Sequence, residues 1–462
     1  EEEIDVELIR QVRLEEPLVP AARRWLGALP RMNASNNWAV AGDRTRSGRA
    51  LVCGDPHLEV NRLPAIWQEL VMRLPEQTLT GAGIPGVPGM VIGRTRHLAW
   101  SATYAFMDML DYRIEHCRDG HYRRADGWKP FRMRQEEIRV KKGAPQTVTV
   151  YENEHGVLEG DPGPEGYRLV LGWSGRRGCG AGMFNGVLGL PHAATAPEAL
   201  TLFRRLDAAA FPWVVGDTAG HIGYQMSGRC YDRPPGVSGL LPTPGWEPRY
   251  DPRGFIPMED LPTQIDPAEG FIVTANQDLN HLGRARVINL PMGAYRAERI
   301  RQRLEGRRGL TAADMQAVHF DLYSLQAEAF LAQLKPLLPD TPHGRLLAAW
   351  DGTYTADSQG ATLFEAVYRA LVRVVFGDGG LGREVVDHIL TETGLFNDYY
   401  ANLDRILLAP DSAWFSGRAR EDLLRQALTE GLAELPRPYG ETRQVVLSHL
   451  LFGGKLPRFL GF

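Results

Sequence analysis

The chain has 462 residues, 44% of them hydrophobic and 23% charged, enough to bury a large core and too apolar for a disordered chain. Its 52 Lys and Arg stand against 56 Asp and Glu, a net charge of −4, which argues against a dedicated nucleic-acid binder. No apolar run approaches the ~20 residues needed to cross a bilayer, and the opening Glu1-Glu2-Glu3 has the wrong charge for a secretory leader.

Glu1 to Glu16 is charged, with Ile4, Leu8, Ile9 and Val12 at helical spacing, and Pro17, Pro20 and Pro30 then break the chain up. From Ser35 the texture changes to strand. Trp38-Ala39-Val40-Ala41, a polar turn from Gly42 to Arg49 and Ala50-Leu51-Val52-Cys53 predict a hairpin. Further strands are predicted at Gly89 to Gly93, His97 to Tyr104, Gln146 to Tyr151, Tyr167 to Gly172 and Phe271 to Ala275. Ala194 to Ala209 predicts an amphipathic helix, with Pro197 near its start and Leu200, Phe203 and Leu206 on one face. After about residue 310 the pattern is helical, over Leu310 to Leu338, Ala361 to Phe376 and Arg418 to Leu435. Strands first and helices later, with few βαβ alternations, predict an α+β layered fold.

Several chemistries are excluded. The chain holds no GxxxxGK[ST] phosphate loop, no HExxH helix and no GxSxG elbow. Cys53, Cys117, Cys179 and Cys230 form no CxxC, which removes a zinc ribbon or thioredoxin-type pair and leaves disulfides open.

Three segments set polar side chains directly against predicted strands: Ser35-Asn36-Asn37-Trp38, Gly54-Asp55-Pro56-His57-Leu58 and Thr274-Ala275-Asn276-Gln277. With Pro88 to Asp111 and Gly293-Ala294-Tyr295-Arg296, they follow one another as in the penicillin acylase family of N-terminal nucleophile (Ntn) hydrolases, which the chain resembles from about Asn33 onward. The resemblance implies an αββα sandwich of four layers with a mostly helical C-terminal extension. It implies hydrolysis of a linear amide through an acyl-serine intermediate, on substrates such as N-acyl-homoserine lactones or β-lactam side-chain amides.

The residue types fit that chemistry. A serine hydroxyl is a poor nucleophile without a base. Cutting the bond before Ser35 would free an α-amine of pKa near ~7.7–8.0, able to take the hydroxyl proton and return it to the departing amine. By resemblance, the oxyanion is met by the Asn276 side-chain amide and the Tyr104 backbone N–H. His57 would orient Ser35 and its amine, with a backbone-bonded histidine at a strand end as the plain alternative. Arg296 would support Asn276 or the amine, with a surface ion pair as its alternative. Gln277 is expected on the opposite side of a strand continuing past Asn276, tolerant of change. Asp108 and Asp111 match a calcium-binding DxxD step and imply a structural Ca²⁺. That ion wants 6–8 oxygens, and no later aspartate ligand is matched.

The family's precursors carry a leader, a long α segment, a spacer and then a β segment opened by serine. Residues 1–34 are read as the end of the α segment or the spacer. Residues 35–309 are the nucleophile-bearing core, and residues 310–462 are the helical extension, stopping before the closing sheet region the family has. The α segment of the same precursor is then the expected heterodimer partner, and the compartment implied is periplasmic or secreted. Two rivals stay open: a metal-dependent hydrolase using His57 with Asp55, Asp108 and Asp111, and an unprocessed, non-enzymatic binding protein on the same fold.

Overall fold

The computed structural model describes residues 5–14, 33–58, 62–176, 178–392, 395–443 and 448–449. The proline-broken stretch 15–32 and the residues after 449 lie outside it. The charged N-terminal segment forms a short helix, Val6–Gln11, capped by the Asp5 carboxylate accepting from the Leu8 N–H at 2.9 Å.

The predicted hairpin is longer than its apolar cores. Asn33–Val40 pairs antiparallel with Leu51–Leu58, and on its other edge with Phe271–Thr274, in a three-stranded sheet. Both faces of this sheet are covered. Trp38, Val40, Phe271 and Val273 pack against the helices Tyr295–Leu304 and Ala312–His319. Ala39 and Ile272 point the other way, into a core shared with Val214, Ile222 and Tyr224 of a second sheet. Burial on both sides is why this strand reads as a continuous apolar run rather than an alternation.

The second sheet has seven strands, in the order Thr263–Ile265, Ile222–Met226, Pro212–Asp217, Leu98–Ala102, Ile92–Arg94, Thr78–Gly83 and Gln68–Arg73. Its far face is covered by Ala181–Gly189 and Ala196–Phe203. The latter helix opens with a Thr195–Glu198 capping box and lays Phe203 flat on Trp213 at 4.8 Å. Helices, seven-stranded sheet, three-stranded sheet, helices: this is the αββα order that the resemblance implied.

Two regions flank the sandwich. An eight-stranded sheet, centred on the pairing of Leu110–Arg118 with Gly166–Trp173, carries Asp111. The helical region predicted after residue 310 packs Phe330, Leu334, Phe364, Val367, Leu424 and Leu428 into its own core. The stretch expected to be helical from Leu310 to Leu338 divides into Ala312–His319 and Leu325–Leu334, because Thr311 and Ser324 each cap a separate helix start. All four cysteines are free. Among the described residues, no helix is long and apolar enough to cross a membrane.

Candidate active site

Ser35 lies inside the first strand, opposite Pro56 in the ladder, and only 2% of its surface is exposed. The chain is continuous through Ala34, so its nitrogen is an amide. That N–H donates to Asn276 Oδ1 at 3.0 Å, across 241 residues of sequence. The hydroxyl donates to the Ala34 carbonyl oxygen at 2.6 Å, so Oγ rests against the peptide group that precedes it.

Asn276 stands just past the end of Phe271–Thr274, in the left-handed region with φ of 67°. Asparagine is one of the few residues that tolerate this conformation. The turn aims its amide back at Ser35, and Nδ2 donates to the Tyr104 carbonyl at 2.9 Å. The N–H groups of Thr103 and Ala105 are spent on the carbonyls of Pro212 and Ala210. By alternation along extended backbone, Tyr104 presents its polar groups to the opposite edge, where Asn276 and Ser35 lie. The two hydroxyls of Thr103 and Thr274 meet at 2.8 Å and tie these segments together.

Arg296 binds the group from below. Its guanidinium donates to the Ser35 carbonyl and Asn36 Oδ1, both at 2.7 Å, and to Asn276 Oδ1 at 3.1 Å. Burial pulls its pKa below the ordinary arginine value, with Tyr400 and Asp55 acting in the opposite direction. It is no surface ion pair.

His57 sits opposite Ala34 in the ladder, one step from Ser35's partner. Its Nδ1 is 2.8 Å from the Asp55 carbonyl oxygen and 3.6 Å from the Asp55 carboxylate. The imidazole beside it holds the Asp55 carboxyl below its ordinary value, with burial acting in the opposite direction. Among the described residues no hydrogen bond joins His57 to Ser35. Gln277 departs from expectation. Because Asn276 ends the extended run, Gln277 folds back over its own strand, accepting from the Ala275 N–H at 2.6 Å and donating to the Val273 carbonyl at 2.9 Å. It is buried, with 8% exposure.

Ser35, Tyr104 and Asn276 line one cavity of about 330 Å³ with Trp67, Phe106 and Phe211. Among the described residues, no charged side chain lines it. Trp67 is fixed as a wall by its indole N–H donating to the Pro56 carbonyl at 2.7 Å. The glycine of Gly54-Asp55-Pro56-His57 also has a structural reason: a Cβ at Gly54 would collide with the Ser101 hydroxyl, which donates to Asn37 Oδ1 at 3.1 Å. Asn36, Trp67, Phe211 and Tyr400 were not singled out from the sequence; only Asn36, beside Ser35 in a polar run, had a local signal.

Asp108 and Asp111 do not join this constellation. The guanidinium of Arg233 lies between them. The metal-hydrolase rival gains nothing either: His57 and Asp55 pair on one strand, and among the described residues no three His, Cys, Asp or Glu side chains gather to hold a metal.

The Penicillin amidase family model matches residues 2–459. Penicillin acylase 2 proenzyme of Pseudomonas sp. (strain SE83) is 32% identical over 433 residues, 90% of this chain and 55% of that protein. Acyl-homoserine lactone acylase QuiP of Pseudomonas aeruginosa is 32% identical over 399 residues, 78% of this chain and 46% of that protein. This chain thus spans about half the length of these curated relatives. The solved thermostable penicillin G acylase from Alcaligenes faecalis superposes with a TM-score of 0.73 over 86% of this chain and 78% of that one. At 18% identity that likeness concerns the fold, an Ntn-hydrolase sandwich. By its sequence, the chain belongs to the penicillin amidase family.

Proposed function

We propose that this chain carries the nucleophile of an amidohydrolase that cleaves linear N-acyl amides, with Ser35 as that nucleophile after the Ala34–Ser35 bond is cut. The observation that supports this most directly is the placement of Ser35. Its nitrogen is bonded to Asn276, its hydroxyl lies against the Ala34 carbonyl, and its side faces an apolar cavity.

Self-cleavage is the first reaction. Ser35 Oγ attacks the Ala34 carbonyl carbon, the C–N bond breaks, and the acyl group passes from nitrogen to oxygen. Water then hydrolyses the ester, leaving an Ala34 carboxylate and a free Ser35 amine. In turnover the neutral amine takes the Oγ proton while Oγ attacks the substrate carbonyl, and the proton passes to the leaving amine. Water cleaves the acyl-serine and releases the acid. Asn276 Nδ2 and the Tyr104 N–H are the donors assigned to the oxyanion. Arg296, touching both the Ser35 carbonyl and Asn276, fixes their relative position. His57, bonded to Asp55 in the uncut chain, is assigned the orientation of the new amine once it forms.

The uncharged cavity suits an aliphatic or aromatic acyl group, and the leaving amine is that of a homoserine lactone or a β-lactam nucleus. The names of the two relatives span both classes. The rest of the precursor is assigned as the partner α segment, and the compartment as periplasmic or secreted.

The test joins intact mass with hydrolysis. The full-length protein should yield a polypeptide beginning at Ser35 and release acid from an N-acyl-homoserine lactone or a penicillin side chain. Ser35→Ala should do neither, because one hydroxyl serves both reactions. A Ser35→Ala protein that still hydrolyses these amides would place the nucleophile elsewhere. A parent protein that stays uncut and inert would favour the binding-protein reading.

A further inference from the structure

The pair Asp108 and Asp111 is buried, with side chains 11% and 8% exposed, and two carboxylates that close need a cation. The space between them is filled by Arg233, itself 9% exposed. Its Nε donates to Asp111 Oδ1 at 2.9 Å, and one terminal nitrogen reaches Asp108 Oδ1 and the Asp108 carbonyl oxygen, both at 3.1 Å.

We infer that the guanidinium of Arg233 serves as the structural cation of this chain, in the place where a calcium ion would otherwise sit between Asp108 and Asp111.

Four features of the surroundings support this. Two cations already face the pair: Arg233 contacts both carboxylates, and the terminal nitrogen of Arg113 is 3.6 Å from Asp111 Oδ2. A divalent cation added there would be repelled by two guanidiniums that do not deprotonate. Asn289 turns its amide N–H groups, not its oxygen, toward the cluster, donating to Asp108 Oδ2 and to the Ser238 carbonyl. The thiol of Cys230 donates to the Asp108 carbonyl at 3.3 Å, a soft neighbour that a hard cation does not seek. Space is short as well, since a Cβ at Gly239 would collide with Asp108 Oδ2 and lie 2.6 Å from the guanidinium carbon.

The cluster also has a bearing on the site. Asp108 follows Tyr104 by four residues; its N–H donates to the Val287 carbonyl at 2.9 Å, and Met107 bridges to Ile288. The chain then returns through Asn289 to Met292, whose N–H donates to the Asn276 carbonyl at 2.9 Å. Arg233 therefore braces, through Asp108 and Asn289, the two segments that carry Tyr104 and Asn276.

Thermal unfolding of the full-length protein in EGTA and in added calcium tests the assignment without reference to activity. The parent should unfold at the same temperature in both, and calorimetric titration with calcium should show no stoichiometric binding. Arg233→Ala vacates the space and leaves the carboxylates facing each other. Its Tm should fall in EGTA and recover by about 3 °C in calcium 100-fold above the dissociation constant. Arg233→Lys, which keeps the charge, should fall less and ignore calcium. A parent that loses stability in EGTA or binds one calcium per chain would overturn the inference. So would an Arg233→Ala protein as stable as the parent. Should Arg233→Ala not fold, the parent and Arg233→Lys measurements decide the question alone.

Discussion

Replacing Asn276 by aspartate exchanges one donor nitrogen for an oxygen and adds a charge, and the structure says what each change does. Oδ1 keeps its two incoming bonds, from the Ser35 N–H at 3.0 Å and Arg296 at 3.1 Å. The other oxygen then faces the Tyr104 carbonyl, where Nδ2 now donates at 2.9 Å. In the resting protein this loses one buried hydrogen bond and sets two acceptors together, a cost of about 1–3 kcal/mol that the adjacent Arg296 charge offsets in part. In the transition state the loss is larger. A carboxylate cannot donate to an oxyanion and repels it, so about 2.7–4 kcal/mol of stabilisation disappears and kcat falls by about 10²–10³. KM should change little, since the negative charge develops only after attack. Self-cleavage should slow in parallel if the same amide serves both reactions. Steady-state and burst kinetics on an N-acyl substrate, with intact mass over time, measure both effects. Unchanged kcat in a folded Asn276→Asp protein would refute the oxyanion assignment.

Gln277→Glu is no longer expected to be silent. It should destabilise the fold by about 1–3 kcal/mol in urea denaturation, because its carboxylate would face the Val273 carbonyl that Gln277 now donates to. Asp404 makes a pH prediction. It is 1% exposed and accepts from Tyr368 and Gln326, yet burial pushes its carboxyl up to about 6. A raised acid pKa gives stability that is fully present below the unfolded value of ~3.9 and is lost as pH rises through about 6. The group should therefore remove about 3 kcal/mol between pH ~4 and ~7, and Asp404→Asn should flatten that slope when unfolding is followed at both pH values.

Local pattern alone determined a good deal of this protein. The apolar runs at Trp38 to Ala41 and Ala50 to Cys53 read as a hairpin, the spacing of Leu200, Phe203 and Leu206 reads as one face of a helix, and strands followed by helices indicate a layered α+β fold. Ser35 and Asn276 were legible too, because polar side chains against apolar strands have no place in a core unless something else requires them. The contacts between them were not. Ser35 meets Asn276 across 241 residues, and Arg233 meets Asp111 across 122. Nothing local marks Arg233, which follows Tyr231-Asp232 and precedes two prolines like any loop arginine. Its partner is set by how the eight-stranded sheet closes against the loop that carries it. Gln277 repeats the lesson at short range: strand periodicity sends it outward, but the left-handed turn at Asn276 breaks the period and folds it inward. Periodicity and capping are properties of neighbouring residues, so the sequence determines them directly. The cation between two aspartates and the face a glutamine takes depend on which distant backbones are brought together, and only the tertiary structure decided those.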